Sequence, residues 1–330
     1  MQDSAKPSYF LIAVSTQENL ELCIKYGLAG FPSGESGVWT YSEIQEGDFI
    51  SFLYGAKAHN LYKVARKEAI TDAENLPPWK ILEFKASGKR YSFPFRLRLN
   101  PVRMFSESLV RAEFSYVAEN LLLRGGYSKS HFQADQTTLQ SVSQMGKLVE
   151  SPAMRLDLPG YKTFIPQFTK SKGFLRPPEV MRFKEPILQS AIRQHLMLDD
   201  NLKKLLLALG MPEVAAADLE ILGEKALPQG HVDILVKQRV PLGSAPKIPI
   251  EVKTMEAKEK DLYQLRGYMD ELAGECPTGI LLAADFGKRV LAKATNIGVQ
   301  LVRYNLNVDL KMTPTFQEIR GSLSLVVMPR

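Results

Sequence analysis

Gly230-His231-Val232-Asp233-Ile234-Leu235-Val236 and, seventeen residues after the aspartate, Ile250-Glu251-Val252-Lys253 are the two stretches that decide how this chain reads. In the first, a carboxylate stands inside an apolar run, where burial is costly unless a cation or donor compensates it. In the second, strand side chains alternate, so Glu251 and Lys253 share one face and Ile250 and Val252 the other. A strand-turn-strand unit lays Asp233 alongside them. Two carboxylates on one face offer oxygen ligands to Mg²⁺, for which Mn²⁺ can substitute, and Mg²⁺ also takes phosphate oxygens. The lysine beside them can orient or help deprotonate an attacking water, or offset charge that develops on a phosphate.

Around this pair the apolar spacing predicts a long amphipathic helical region over 184–209 and strands over 218–222, 232–237 and 248–254. A helix over 257–272, a strand over 279–284, a helix over 288–295 and a strand over 299–304 follow. That order implies a mixed α/β sheet flanked by helices. On the helix after the lysine strand, Gln264 and Tyr268 are four apart and share a face.

Taken together, Gly230-His231-Val232-Asp233 followed by Glu251-Val252-Lys253 resembles the pattern of the PD-(D/E)XK nuclease superfamily. The resemblance covers about residues 183 to 305 and implies a restriction-endonuclease-like fold and a Mg²⁺-dependent phosphodiesterase acting mostly on DNA. It implies Asp233 and Glu251 as metal ligands and Lys253 as their catalytic partner. Gln264 and Tyr268 resemble the glutamine and tyrosine of the exonuclease-like branch, and Glu185 the acidic residue that some members add from the first helix. Where the family usually has proline before the first aspartate, this chain has Val232.

The first half reads differently. A buried strand over 8–14 precedes a helix opened by Thr16-Gln17-Glu18-Asn19 and closed by Gly27 and Gly30. Strands are expected at 37–40, 48–54, 61–65, 82–84 and 93–99, with helices at 107–123 and 139–149. The implied architecture is a small curled barrel with helices. The order Tyr9-Phe10-Leu11-Ile12, Gly37-Val38-Trp39, Gly47 to Phe52, Leu61 to Val64 and Pro94 to Leu97 resembles the EVE and YTH domains of the PUA-like group. That resemblance, over roughly residues 7 to 147, implies a reader of nucleic acid or of a modified base. A flipped base needs a π face and polar groups at its edge. Trp39, Trp79, Tyr54 and Phe52 are the candidate walls, and Ser15, Asn19 and Asn60 the candidate edge contacts. Arg96, Arg98, Arg103 and Arg124 are candidates to hold phosphates on the rim. Large aromatics are more often core than cage, so the plain packing alternative stays open.

Length and composition frame these readings. The 330 residues suit two domains, residues 1–150 and 183–330, joined by a basic, proline-rich connector over 151–182. Net charge is +6, of which roughly +1 falls on the first 150 residues and about +5 on the rest, which favours a polyanionic partner for the second half. Cys23 and Cys276 form neither a disulfide framework nor a metal cluster, as suits a reducing cytoplasm, and no apolar run is long enough for a signal or a membrane span. The four histidines, at 59, 131, 195 and 231, lack zinc-like spacing. The expected function is a restriction-type endonuclease, cytoplasmic, directed to modified or specific DNA by its first half. Cutting both strands with one site per chain calls for a homodimer, at least transiently. An RNA-directed nuclease and an inactive nucleic-acid-binding protein remain as alternatives.

Overall fold

The computed structural model describes residues 6–84, 88–111, 114, 130–156, 158, 160–227 and 230–329. The first half contains strands β1 (Tyr9–Ala13), β2 (Leu28–Phe31), β3 (Phe49–Tyr54), β4 (Lys57–Ile70), β5 (Leu82–Phe84), β6 (Lys89–Tyr91), β7 (Phe95–Met104), β8 (Leu109–Val110), β9 (His131–Ala134) and β10 (Lys147–Leu148). Its helices are α1 (Gln17–Tyr26), α2 (Glu35–Glu43) and α3 (Gln136–Val142). Strand β11 (Thr163–Phe164) belongs to the same curled sheet, whose backbone order is β10-β7-β4-β3-β1-β9, with β2 on β7 and both β8 and β11 on β4. Helix α1 forms where the local chemistry asks for it. The Thr16 hydroxyl accepts the Asn19 amide proton at its start, Leu20 and Cys23 face inward, and Gly27 closes it at φ +52.

After β12 (Gln167–Thr169) and β13 (Val180–Arg182), the second half runs α4 (Glu185–Leu196), α5 (Asp199–Ala208), β14 (Leu219–Leu227), β15 (Gly230–Gln238), β16 (Lys247–Ala257), α6 (Glu259–Leu272), β17 (Gly279–Phe286), α7 (Lys288–Lys293), β18 (Val299–Leu306), α8 (Phe316–Gly321) and β19 (Leu323–Val327). The six strands β14 to β19 form one sheet in sequence order. β14, β15 and β16 pair antiparallel, β16, β17 and β18 parallel, and β19 antiparallel at the edge. The β17 residues Gly279 to Ala283 are buried without alternation, as a strand covered on both faces requires. The mixed α/β sheet expected from the element order is therefore present.

One hydrophobic core runs through both halves, from Phe10 and Trp39 to Ile187, Leu188, Ile250 and Ile280. Helix α4 joins the two sheets and is buried along most of its length. No helix among the described residues is long and apolar enough to cross a membrane.

Several expectations need correction. Residues 37–40 are helical, within α2, although Val38, Trp39 and Thr40 favour strands locally. Packing of the segment against α4 overrides that preference. The helix expected at 139–149 runs instead over Gln136–Val142, opened by the Asp135 carboxylate, which accepts the Thr138 amide proton, and Lys147–Leu148 form β10 against β7. Residues 109–110 of the helix expected at 107–123 form β8, and most of the rest, with Arg124, lies outside the described residues. The connector is partly extended, but it is packed in: Thr163 and Phe164 pair with Ile70 and Ala69, and Phe168 is fully buried. The region 184–209 is two helices, with Met197 and Leu198 between them.

Candidate active site

Strand β15 carries Asp233 and its neighbour β16 carries Glu251 and Lys253. Their ladder runs from Lys237 with Lys247 to Ile234 with Ile250 and stops there. Just beyond it the Asp233 Oδ2 accepts the Val252 amide proton at 2.8 Å, so the carboxylate takes over where the backbone ladder ends. On the other side, β14 pairs with β15 in one continuous register, Gly223 with Ile234 and Lys225 with Val232, so that Glu224, at φ +53, stands opposite Asp233. A non-glycine residue at positive φ inside a strand is strained, and such strain gathers at functional sites.

Glu251 is 1% exposed. Its Oε1 lies 2.8 Å from the Lys253 Nζ, while its Oε2 is buried with no hydrogen-bond partner. The Lys253 ammonium also reaches the half-exposed Glu185 Oε1, at 3.4 Å, from the first turn of α4. Burial, together with the facing Asp233 carboxylate, pushes the Glu251 carboxyl up to about 8. Asp233 rises to about 6, chiefly through burial, with Glu185 adding to it and the Val252 amide, Lys253 and Gln189 opposing. Burial works to lower the Lys253 pKa, but Glu251, Asp233 and Glu185 outweigh it and hold the proton on. The lysine is thus an ammonium donor in the midst of three carboxylates.

Gln264 and Tyr268 brace this arrangement from α6. The Gln264 amide donates to the Tyr268 hydroxyl at 3.0 Å, and that hydroxyl donates to the His231 carbonyl at 3.0 Å. Tyr268 thereby holds the start of β15. The glycine of the motif has a physical reason as well: Gly230 sits at φ +153, and a Cβ there would lie 3.0 Å from the Tyr268 hydroxyl.

Asp233, Glu251, Lys253 and Glu185 are therefore brought together, with Gln264 and Tyr268 beside them. Among the described residues no set of three or more His, Cys, Asp or Glu side chains forms a ready-made metal cage. The donor set still suits Mg²⁺, which is held by one or two carboxylates and completes its shell with water and phosphate. The unpartnered Glu251 oxygen, facing the half-buried Asp233 carboxylate, is the feature that fits a divalent cation. Gln189, four residues after Glu185 and on the same face of α4, lines a small cavity together with Asp233. The i, i+4 spacing from Glu185 is the sequence signal that could have found it. Glu224 had no comparable signal, because only its backbone conformation marks it.

The candidate reader residues do not gather into one cage. Trp39 is buried and its indole N–H donates to the Ser190 hydroxyl at 3.0 Å, on α4. Phe52 is fully buried, edge-on to Tyr62, and Tyr54 sits against His59. Trp79 packs on Phe93 and covers Gly30, where a Cβ would collide with its ring. Asn60 is spent on the Tyr62 hydroxyl and the Phe105 amide, while Ser15 and Asn19 sit at the start of α1 near each other. Arg96 is not on a rim. It is 1% exposed and donates to the carbonyls of Phe93, Pro77 and Leu76. Arg98 is engaged with Glu68 and Tyr161, and Arg103 with the Met145 carbonyl.

No family model matches the chain, and no curated protein matches it. Among solved structures, the EndoMS-dsDNA2 complex is similar over 31% of this chain and 42% of that one, at 21% identity and a TM-score of 0.23. The Mmi1 YTH domain is similar over 37% of this chain and 77% of that one, at 14% identity and a TM-score of 0.25. The DNA modification-dependent restriction endonuclease AspBHI is similar over 87% of this chain and 66% of that one, at 14% identity and a TM-score of 0.22. The chain thus spans less than half the length of the EndoMS chain it matches.

Proposed function

We propose that the chain is a Mg²⁺-dependent endonuclease that hydrolyses phosphodiester bonds in DNA, with Asp233, Glu251 and Lys253 at its centre. One observation carries this reading: a buried glutamate with an unpartnered oxygen stands beside the half-buried Asp233 carboxylate of the next strand, with the Lys253 ammonium 2.8 Å from the glutamate. Asp233 and Glu251 are the residues that would hold the cation. When bound, Mg²⁺ or Mn²⁺ would neutralise charge on the scissile phosphate and favour ionisation of water.

The protein's own groups account for the rest. The Lys253 ammonium lies 2.8 Å from Glu251 and is aimed by it, so it can donate to a phosphate oxygen as negative charge grows there. Glu185 lies at the open side of the cluster and can accept a hydrogen bond from the attacking water. Gln264 and Tyr268 keep β15 in place. The first half, in this reading, docks on a modified or specific DNA site, and two protomers combine to cut both strands.

The test is cleavage of matched unmodified, cytosine-modified and adenine-methylated duplexes with Mg²⁺, with Lys253→Ala as control. Cleavage of one modified duplex alone, lost in the control, supports both halves of the reading. Cleavage of all three removes the modified-base reader and keeps the nuclease. No cleavage of DNA in any form sinks the proposal.

A further inference from the structure

Residues 170–184, the end of the connector and its entry into α4, carry Lys170, Lys172, Arg176, Arg182 and Lys184 against a single acid, Glu179. Their net charge is +4, where the whole chain has +6. The one acid is already committed, since Glu179 pairs with Arg176 at 2.9 Å. All five cations are exposed, and Lys172 and Arg182 are in no ion pair among the described residues. Phe174, in the middle of the loop, is 50% exposed, and no other phenylalanine ring among the described side chains is exposed. A lone exposed ring is ordinary on a surface. A ring framed by cations offers what a nucleic acid uses, a face for a base and charges for its phosphates.

The loop stands on a buried base. Its legs pair in parallel, Thr169 with Arg182, and Phe168, Thr169, Val180, Met181 and Phe183 are buried. The Arg176 and Val180 amides each donate to the other's carbonyl, at 3.0 and 2.9 Å, and close the turn. Two independent links set this loop at the rim of the acidic cluster. Along the chain, Arg182 is three residues from Glu185, at most about 11 Å, or roughly three base-pair rises of a duplex. Glu185 itself is 3.4 Å from the Lys253 ammonium. Across space, the Lys170 amide donates to the Leu310 carbonyl at 2.7 Å, in the segment that follows β18. Near the end of β18 the Tyr304 hydroxyl donates to the Thr254 carbonyl at 2.8 Å, one residue after Lys253.

We propose that residues 170–184 form an arm that holds duplex DNA beside the acidic cluster: Lys170, Lys172 and Arg182 seat backbone phosphates next to the scissile one, and Phe174 enters the groove against the bases. Three carboxylates, Asp233, Glu251 and Glu185, repel a polyanion, and the arm supplies the opposing charge at the place where the strand must approach them. Because its legs are buried and its turn is closed, little ordering is left to be done on binding. The inference rests on the reading of DNA as the substrate, and not on its cleavage.

The experiment measures binding of the full chain to a fluorescein-labelled DNA duplex by anisotropy over a series of salt concentrations, with Ca²⁺ in place of Mg²⁺, and to an RNA duplex of the same length. The variants are Lys172→Ala, Arg182→Ala, Phe174→Ala and Phe174→Trp, with Lys203→Ala on α5, also exposed and beyond the far end of α4, as the control for loss of a charge. Lys172→Ala and Arg182→Ala are each expected to weaken DNA binding about 3- to 10-fold and to lower the slope of log K against log salt by about one. Phe174→Ala weakens binding about 5- to 100-fold with the slope unchanged, and Phe174→Trp restores it. Lys203→Ala changes neither. Cation variants that match Lys203→Ala overturn the proposal, as does Phe174→Ala binding like wild type. No binding of duplex DNA by the intact chain, or tighter binding of the RNA duplex, overturns it as well. Arm-dependent binding by a protein that cleaves no DNA with Mg²⁺ sustains the arm and sinks the nuclease reading instead.

Discussion

Two buried glutamates, one in each half, separate structure from chemistry. Glu68, 3% exposed, has both oxygens engaged: Arg98 and Tyr161 each donate to one at 3.0 Å, and Arg66 lies 3.3 Å from the other. Glu251, 1% exposed, has one oxygen on Lys253 and the other on nothing, while a second carboxylate faces it. A carboxylate with its lone pairs satisfied is a fastener. One left short of donors in a dry place is stable only if something absent from the chain completes it, which is why the second marks a site and the first does not.

The largest expected effect tests the site side of this contrast. Glu251→Gln keeps the shape and removes the charge, and cleavage should fall by about 10³-fold or more, measured under single-turnover conditions with Mg²⁺. Full activity in Glu251→Gln would break the comparison. Next comes the fastener: Glu68→Gln should lose about 2 kcal/mol of stability in urea unfolding, because Arg98 is left without its anion, while cleavage per folded molecule is unchanged.

A third prediction concerns pH and a carboxyl of the first half that is buried yet well bonded. Asp48 is 5% exposed and accepts the Ser8 and Gln45 amide protons at 2.8 Å, but burial still raises its pKa to about 6. Its folded pKa lies above the unfolded value, so between about 4 and 6 the folded state holds a proton that the unfolded state has released. Stability therefore falls as pH rises through that window, and the cost is complete above it. Relative to Asp48→Asn, which cannot titrate, wild type should gain roughly 1 to 2 kcal/mol between pH 7 and 4 in paired unfolding curves. An equal pH slope in the two proteins would contradict the assignment.

The smallest effect sharpens the contrast most. A cation that binds only the folded site stabilises by about 1.4 kcal/mol at ten times its Kd, so Mg²⁺ should raise the Tm of wild type and of Glu68→Gln but not of Asp233→Asn. Equal shifts in all three would place the cation elsewhere.

How much of this could be read from residues varies with how local the cause is. Asp233, Glu251 and Lys253 were legible because alternation along a strand fixes which residues share a face, and two adjacent strands do the rest. Helix α1 was legible from Thr16 and Gly27. Helix α2 was not, because its residues favour a strand and only burial against α4 makes them helical. The aromatic candidates were less legible for a related reason: aromatic type does not say whether a ring lines a cavity or fills a core, and Trp39 and Phe52 are packed in the core.

By itself the sequence determined the order of elements in the second half and the face on which Glu251 and Lys253 stand, both consequences of short-range geometry. Only the tertiary structure decided that Glu251 keeps an unmet oxygen, that Glu224 adopts a positive φ opposite Asp233, and that α4 is tied to α2 and β14 to β9. Those depend on which polar groups are left after distant segments have packed, and no pattern along the chain records what a buried atom fails to meet.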